Sequence, residues 1–418
     1  LEANFVGSRN RTTNFFASLV PAIHTQFEVL LRQNLLRGFG RIPADYRIEI
    51  GRTNLDISEQ EFWKTALDIV LQAQDRYWEL QYARKDIEVK EKAVELAETT
   101  REQNEARFEV GTASRLDVVQ AEAEVALRRE ELIRSQYHYR QVQDELVRLI
   151  TQYEDPREFT GRLVPVDPVQ APPSTQESFE LLVNQALELR PAIQQAQLQS
   201  QNRRTELDLT RDQLKPTLDL VAGYQQFGLG GRQVIRDFSE DFINPPIIDI
   251  IPGGLADSLK DLFSADYYGY VLGFDFRFPI FNTEARAANA QAQIALRRSE
   301  LEEKSVRQMV QAEIRSALTQ IEMNRERLQA VGVAVQSALE RLEAEQARFE
   351  VGMGTTRDVI EAQRDLAQAE SVQVRAEIDL IKSYDLLDRA VGRTLSNLNI
   401  VMRDSVNENV AGFLPEPR

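Results

Sequence analysis

Asp358 and Glu361 stand three residues apart in the stretch "TTRDVIEA". On a helix that spacing points both carboxylates along one face. A third acid, Asp117, holds the matching place in "SRLDVVQA", but there Gln120 stands where the second carboxylate would be. An Asp at a helix start most often caps the helix and meets its positive dipole end. The other chemistry-bearing residue types are sparse. The two histidines, His24 and His138, fit no H-x-x-x-H or H-E-x-x-H spacing, so solvated or interfacial roles are expected and no metal site. Cysteine is absent, which removes disulfides, thiolate nucleophiles and zinc–cysteine sites. No G-x-S-x-G, Walker or dinucleotide-binding glycine pattern occurs. "FGLGGR" at Phe227–Arg232 is glycine-rich, but no phosphate-binding helix begins after it, and it reads as a loop. An enzyme is not expected, and no cofactor is implied. The net charge of −16 argues against nucleic acid as a partner and fits an acidic surface or passage.

The phrase that holds these acids occurs twice. "ARFEVGTASRLDV" (Ala106–Val118) and "ARFEVGMGTTRDV" (Ala347–Val359) agree at eight of thirteen positions. So distant a repeat is a structural duplication, too long in period for a solenoid unit. In each copy a glycine, Gly111 or Gly352, follows a long helical pattern and precedes a hydroxyl residue. Glycine just past a helix is a C-cap signal, and Ser or Thr can N-cap the next helix. Each copy therefore reads as the tip of a helical hairpin, at 110–117 and 351–358.

The elements that carry the tips follow from periodicity. The first repeat spans 1–150, with strands at about 1–12 and 22–36 and a helical hairpin at about 58–150. Phe27, Val29, Leu31 and Leu35 alternate with Glu28, Arg32 and Asn34, a strand signal. Val70, Tyr77, Leu80, Ile87 and Val94 recur at helical spacing without an interrupting proline. A helix of that length suggests coiled-coil or bundle packing. Residues 151–175 hold five prolines and form a connector. The second repeat, 176–392, begins with a helix at about 176–214. Strands at about 217–228 and 267–281 are separated by a long connector, Gly228–Ala265. Helices at about 284–349 and 355–391 follow, and 393–418 is a tail. The helix before the second pair of strands has no counterpart in the first repeat. The expectation is that a matching helix and any export signal precede Leu1.

The strand "YYGYVLGFDFRFPIF" sets the environment. Tyr268, Tyr270, Leu272, Phe274, Phe276, Phe278 and Ile280 fall on one face, with Gly269, Gly273, Asp275 and Arg277 opposite. Such a face meets either a soluble core or lipid. No run approaches about 20 apolar residues, so no transmembrane helix is expected. Four strands cannot close a lipid-facing barrel, and open edges in hydrocarbon leave backbone groups unpaired. If lipid is the solvent, several copies must share one barrel in a cyclic ring.

"RFEVG" followed by "DVxxA" in both halves, with "LVNQALELRPAI", "LKPTLDLVAGY" and "FPIFN" before "TEARAA", resembles the outer-membrane efflux protein family, the TolC-like channel-tunnels. The resemblance covers the chain apart from Gly228–Ala265 and the C-terminal tail. It implies a mainly α fold with a β-barrel part. A homotrimer would build a twelve-stranded transmembrane barrel, four strands per subunit, continued by a long periplasmic α-helical barrel. The connector and the segment after Gly392 would girdle the middle. The implied function is an outer-membrane export duct fed by an inner-membrane pump through a periplasmic adaptor. Val110, Gly111, Val351 and Gly352 correspond to adaptor-docking tips. Asp358 and Glu361, with Asp117, correspond to an acidic periplasmic entrance that favours cations, and closing such carboxylates together should raise their pKa values. Tyr268, Tyr270, Leu272, Phe274, Phe276 and Phe278 become lipid-facing. The sequence departs from the family at the entrance, where Phe349 replaces a tyrosine and Gly354 an arginine; Arg357 and Arg115 remain as substitutes. A soluble periplasmic coiled-coil adaptor or scaffold is the competing reading, and it leaves the aromatic strand and the duplication unexplained.

Overall fold

The computed structural model describes residues 1–14, 16–151, 163–170, 177–239, 242–243 and 245–400. Much of the expected connector (152–162 and 171–176) and of the tail (401–418) lies outside the described residues. The chain divides into two compact units, one of residues 1–54 and 199–300 and the other of residues 55–198 and 301–418.

The first unit is built on an antiparallel sheet of five strands: β1 (Glu2–Asn10), β2 (Leu19–Asn34), β3 (Thr217–Arg236), β4 (Ile247–Ile251) and β5 (Tyr268–Arg277). β3 is central. It pairs with β2 along one edge, and with β5 and then β4 along the other. The register puts Phe5 opposite Phe27, Val29 opposite Tyr224, and Tyr224 opposite Tyr270. Because side chains alternate along a strand, these residues share one face with Leu220, Leu272 and Phe274. The other face carries Gln225, Asp219, Asp275 and Arg277, with the Arg277 guanidinium 3.2 Å from Asp275 and 3.8 Å from Asp219.

The expected connector Gly228–Ala265 is largely ordered. β3 runs on to Arg236, β4 pairs with that extension, and a helix, α5 (Leu255–Ser264), lies between β4 and β5. "FGLGGR" is thus strand, not loop. Its glycines mark a place where another backbone approaches closely, a role that glycine in a strand also serves.

The second unit is helical, and residues 41–54, 199–212 and 283–300 of its long helices belong to the first unit. α1 (Arg41–Glu109) and α2 (Arg115–Ile150) form the first hairpin, and α6 (Thr283–Glu350) and α7 (Thr356–Val391) the second. α1 begins well before the expected residue 58. Pro43 falls in its first turn, where a missing N–H costs nothing. The helix expected over 176–214 is two, α3 (Phe179–Leu189) and α4 (Pro191–Asp212). Pro191 forces the break, because it pushes the preceding Arg190 out of helical geometry to φ −76°, ψ 116°. A short α8 (Thr394–Asn397) follows α7.

Apolar stripes at helical spacing form the cores. Leu80 and Ala83 of α1 meet Tyr139, Val142 and Leu146 of α2. Val310, Ile314, Ala317 and Ile321 of α6 pack with Leu182 and Ala186 of α3 and with Leu380 and Leu387 of α7. Leu80 is 1% exposed, so truncating it to Ala costs about 2–5 kcal/mol. Polar ties join hairpin to hairpin. Asp86 of α1 accepts from Ser135 of α2 at 2.6 Å and from Ser371 of α7 at 2.9 Å.

Candidate functional site

The two tips repeat in structure as they do in sequence. α1 ends at Glu109 and Gly111 takes φ +78°; α6 ends at Glu350 and Gly352 takes φ +77°. In the first turn the amides of Gly111 and Thr112 donate to Phe108 at 3.0 Å and to Arg107 at 2.8 Å. In the second, Gly352 and Met353 donate to Phe349 at 3.1 Å and to Arg348 at 2.8 Å. This is the Schellman closure, which needs a left-handed residue that only glycine adopts freely. It leaves the preceding valines in solvent: Val110 is 74% and Val351 70% exposed.

The acids act first as caps. The Ser114 hydroxyl accepts from the Asp117 amide at 3.3 Å, while the Asp117 carboxylate accepts from the Ser114 amide at 2.9 Å and hydroxyl at 2.7 Å. Thr355 and Asp358 make the same box, at 3.3 Å, 3.1 Å and 2.7 Å. Each box satisfies otherwise unpaired amides at a helix start. Hydrogen bonds from Ser114 and Thr355 stabilise the ionised carboxylates and hold Asp117 and Asp358 below the usual range. The expected upward shift concerns carboxylates gathered from several copies; within one chain the capping bonds act in the opposite direction. Glu361 lies 3.6 Å from the Arg341 guanidinium, which also bonds Asp365. Asp358 is half-buried and engaged by its own N-cap, whereas Glu361 is exposed and engaged by α6.

A contact between the tips was not legible in the sequence. Arg107 places its guanidinium 4.0 Å from the centre of the Phe349 ring and donates to the carbonyls of Phe349 at 2.6 Å and Glu350 at 3.1 Å. A cation there meets both the ring face and the negative end of α6. Arg115, one of the expected substitutes, instead sits 6.0 Å over Phe108 of its own tip. The other, Arg357, acts on Asp358 through its charge. The repeat matches Arg107 to Arg348, so sequence alone cannot tell which arginine crosses.

Behind the tips a buried polar ladder joins α1 to α7. Thr356 donates to Asn104 at 2.6 Å, Asn104 to the Thr100 carbonyl at 2.8 Å, and Gln363 to the Thr100 hydroxyl at 2.8 Å. The signal for it was the break in the repeat, where Thr356 replaces Arg115. One step along, Glu124 of α2 is 4% exposed and receives Arg128 at 2.8 Å and Arg364 of α7.

On the sheet the expected apolar face is solvent-exposed in the single chain: Tyr268 60%, Tyr270 79%, Leu272 74%, Phe274 69%, Phe276 59% and Phe278 66%. Among the described residues β5 pairs with β3 alone and β1 with β2 alone, so each presents a free edge in the single chain. Among the described residues no helix is long and apolar enough to cross a membrane, and no group of His, Cys, Asp and Glu is arranged to hold a metal ion.

A sequence model of outer membrane efflux proteins matches residues 35–152 and 182–393. Outer membrane protein TolC of Vibrio cholerae is 25% identical over 354 residues, spanning 82% of this chain and 72% of that protein. Among solved structures, the outer membrane protein VceC from Vibrio cholerae superposes with a TM-score of 0.68 at 17% identity, over 94% of this chain and 86% of VceC. The open-state MtrE outer membrane channel of Neisseria gonorrhoeae gives 0.65 at 16% identity, over 94% and 80%. The outer-membrane channel OprN gives 0.67 at 16% identity, over 94% and 80%.

Proposed function

Because the chain belongs to the outer membrane efflux protein family, and so is an outer membrane efflux channel of β-barrel and helical-tunnel construction, we propose that three copies form one duct. It receives its substrate from an inner-membrane pump through a periplasmic adaptor. The observation that carries the trimer is the pair of free edges. β1 and β5 run in opposite directions, since β1, β2, β3 and β5 are joined antiparallel in that order. The β5 edge of one copy can therefore continue into the β1 edge of the next as an antiparallel ladder. Three copies of these four long strands make twelve, which leaves no edge open in lipid.

The exposed face from Tyr268 to Phe278 is the lipid-facing surface, and the face with Asp219, Asp275 and Arg277 lines the passage. The tips at Val110-Gly111 and Val351-Gly352 are the adaptor-docking ends: each shows an exposed valine beside a backbone turn that an apolar helix end can pack against. Asp358, Glu361 and Asp117 give the entrance its negative charge. The family's function is conduction, and no catalytic role is assigned. A soluble adaptor with the same helices would leave the β5 face in water. Detergent-extracted protein should run as a trimer and give stepped currents in planar bilayers. A monomer that stays soluble without detergent and conducts nothing would sink the proposal.

A further inference from the structure

Helix α5 rests on the sheet over Gly228 and Gly230. A Cβ at Gly228 would stand 1.9 Å from the Ser258 carbonyl oxygen, and one at Gly230 would stand 2.3 Å from that of Gly254. Any side chain at either position would displace the helix, so the two glycines set how closely it sits. Thr25, in register with Gly228 and 2% exposed, places its hydroxyl 3.1 Å from the Ser258 carbonyl oxygen and 2.8 Å from the Ser258 hydroxyl. Leu262, 1% exposed, completes the contact. The helix is part of the fold and not a loose excursion.

Strand alternation fixes which face carries it. The β2–β3 pairing is unbroken from Ala22 to Asn34, so Thr25 shares a face with Phe27 and Val29, and Gly228 shares it with Tyr224. That is the apolar face of the sheet. α5 lies two residues beyond the row Phe27, Gln226 and Tyr268. It lies toward the strand ends remote from the junctions with α1, α4 and α6. With the apolar face outward, it is on the outside of the barrel, at the edge of the apolar band.

The helix has two unlike flanks. Leu255 and Phe263 remain 53% and 78% exposed, while Asp257, Lys260 and Asp261 supply charge on the other side. Tyr267 and Tyr268, each 60% exposed, follow directly. An amphipathic helix of this pattern lies in the plane of a membrane interface, and tyrosines mark the same depth. We propose that α5 is an interfacial anchor whose Leu255 and Phe263 enter the boundary between lipid and water on the outer side of the barrel. The inference rests on the lipid-facing reading of β5.

The chain has no cysteine, so single labels are clean. Nitroxide would be placed at Phe263→Cys, at Leu272→Cys in the band and at Thr13→Cys in the exposed β1–β2 loop. The labelled trimers would be reconstituted in phosphatidylcholine vesicles and probed with oxygen and a water-soluble nickel chelate. The expected oxygen-to-nickel accessibility ratio at 263 is several-fold above that at 13 and no higher than that at 272. A ratio at 263 equal to that at 13, with 272 in lipid, overturns the anchor alone. A label at 263 shielded from both probes means that protein covers it, and also overturns the anchor. Nickel access at 272 would remove the lipid-facing reading itself. Leu255→Cys repeats the test if the 263 variant does not assemble.

Discussion

At the residue scale the acids proposed for the entrance also act as caps. Asp117 and Asp358 complete capping boxes, so a change to Ala confounds charge with helix stability. Asp358→Asn with Glu361→Gln separates them, since Asn still offers an oxygen to the Thr355 amide. The expected result is weaker block of single-channel current by multivalent cations with an unchanged melting midpoint; unaltered block would take these side chains out of the entrance. A different carboxylate governs pH dependence. Asp385 of α7 accepts from Trp78 at 2.9 Å and from Gln74 at 3.2 Å, both on α1. Burial pushes it up to about 6; the Trp78 bond opposes that rise, Asp388 and Asp75 add to it, and Lys382 offsets part. The folded state therefore binds the Asp385 proton more tightly than the unfolded chain does. The resulting stability is full below the unfolded value near 4 and is lost as pH rises through about 6, amounting to at most about 3 kcal/mol. Asp385→Asn should flatten the fall in melting midpoint between those limits. A wild-type midpoint that does not fall across that window would contradict this account.

At the element scale the alternation of the sheet makes a sharp contrast. Phe274 and Val271 are near neighbours on β5, both exposed, on opposite faces. Phe274→Arg should cost about 2–4 kcal/mol of membrane stability at the bilayer midplane and reduce heat-modifiable trimer in outer-membrane fractions. Val271→Arg should be tolerated and alter conductance. Equal tolerance of both would mean the face is not in lipid. This face was legible because a period of two over seven positions admits one register. The helical hairpins were legible from their stripes and their glycine turns. α5 and β4 were not, because "PPIIDIIPGG" is dense in proline and glycine and a ten-residue helix offers barely three turns of periodicity. The break at Arg190 was written in the sequence as Arg-Pro, yet the apolar pattern continues through it. Arg107 was hidden for a different reason: duplication supplied two equivalent arginines, and only packing between the hairpins chooses one.

At the scale of the whole molecule, closure is the decisive property. A sheet with two free edges is unsatisfied in hydrocarbon, and each open edge costs several kcal/mol per unpaired backbone group. The chain cannot resolve this alone, because β1 and β5 sit on opposite sides of the β2–β3 pair. A second copy moves the open edge without removing it; only a ring that returns to its start does so. Alternation puts Val6 of β1 and Gly269, Val271 and Gly273 of β5 on the same face, opposite the aromatic one, so residues there can meet across a seam. Val6→Cys combined in turn with cysteine at each of those three positions should yield, at one pairing, oxidised dimers and trimers and nothing larger. A cyclic seam caps the ladder in this way, and the geometric tolerance of a disulfide confines the product to the matching register. A ladder that climbs past three would mean an open chain of subunits or a larger ring. No product at any pairing would mean that these edges face something other than each other, and the twelve-stranded barrel would fall with them.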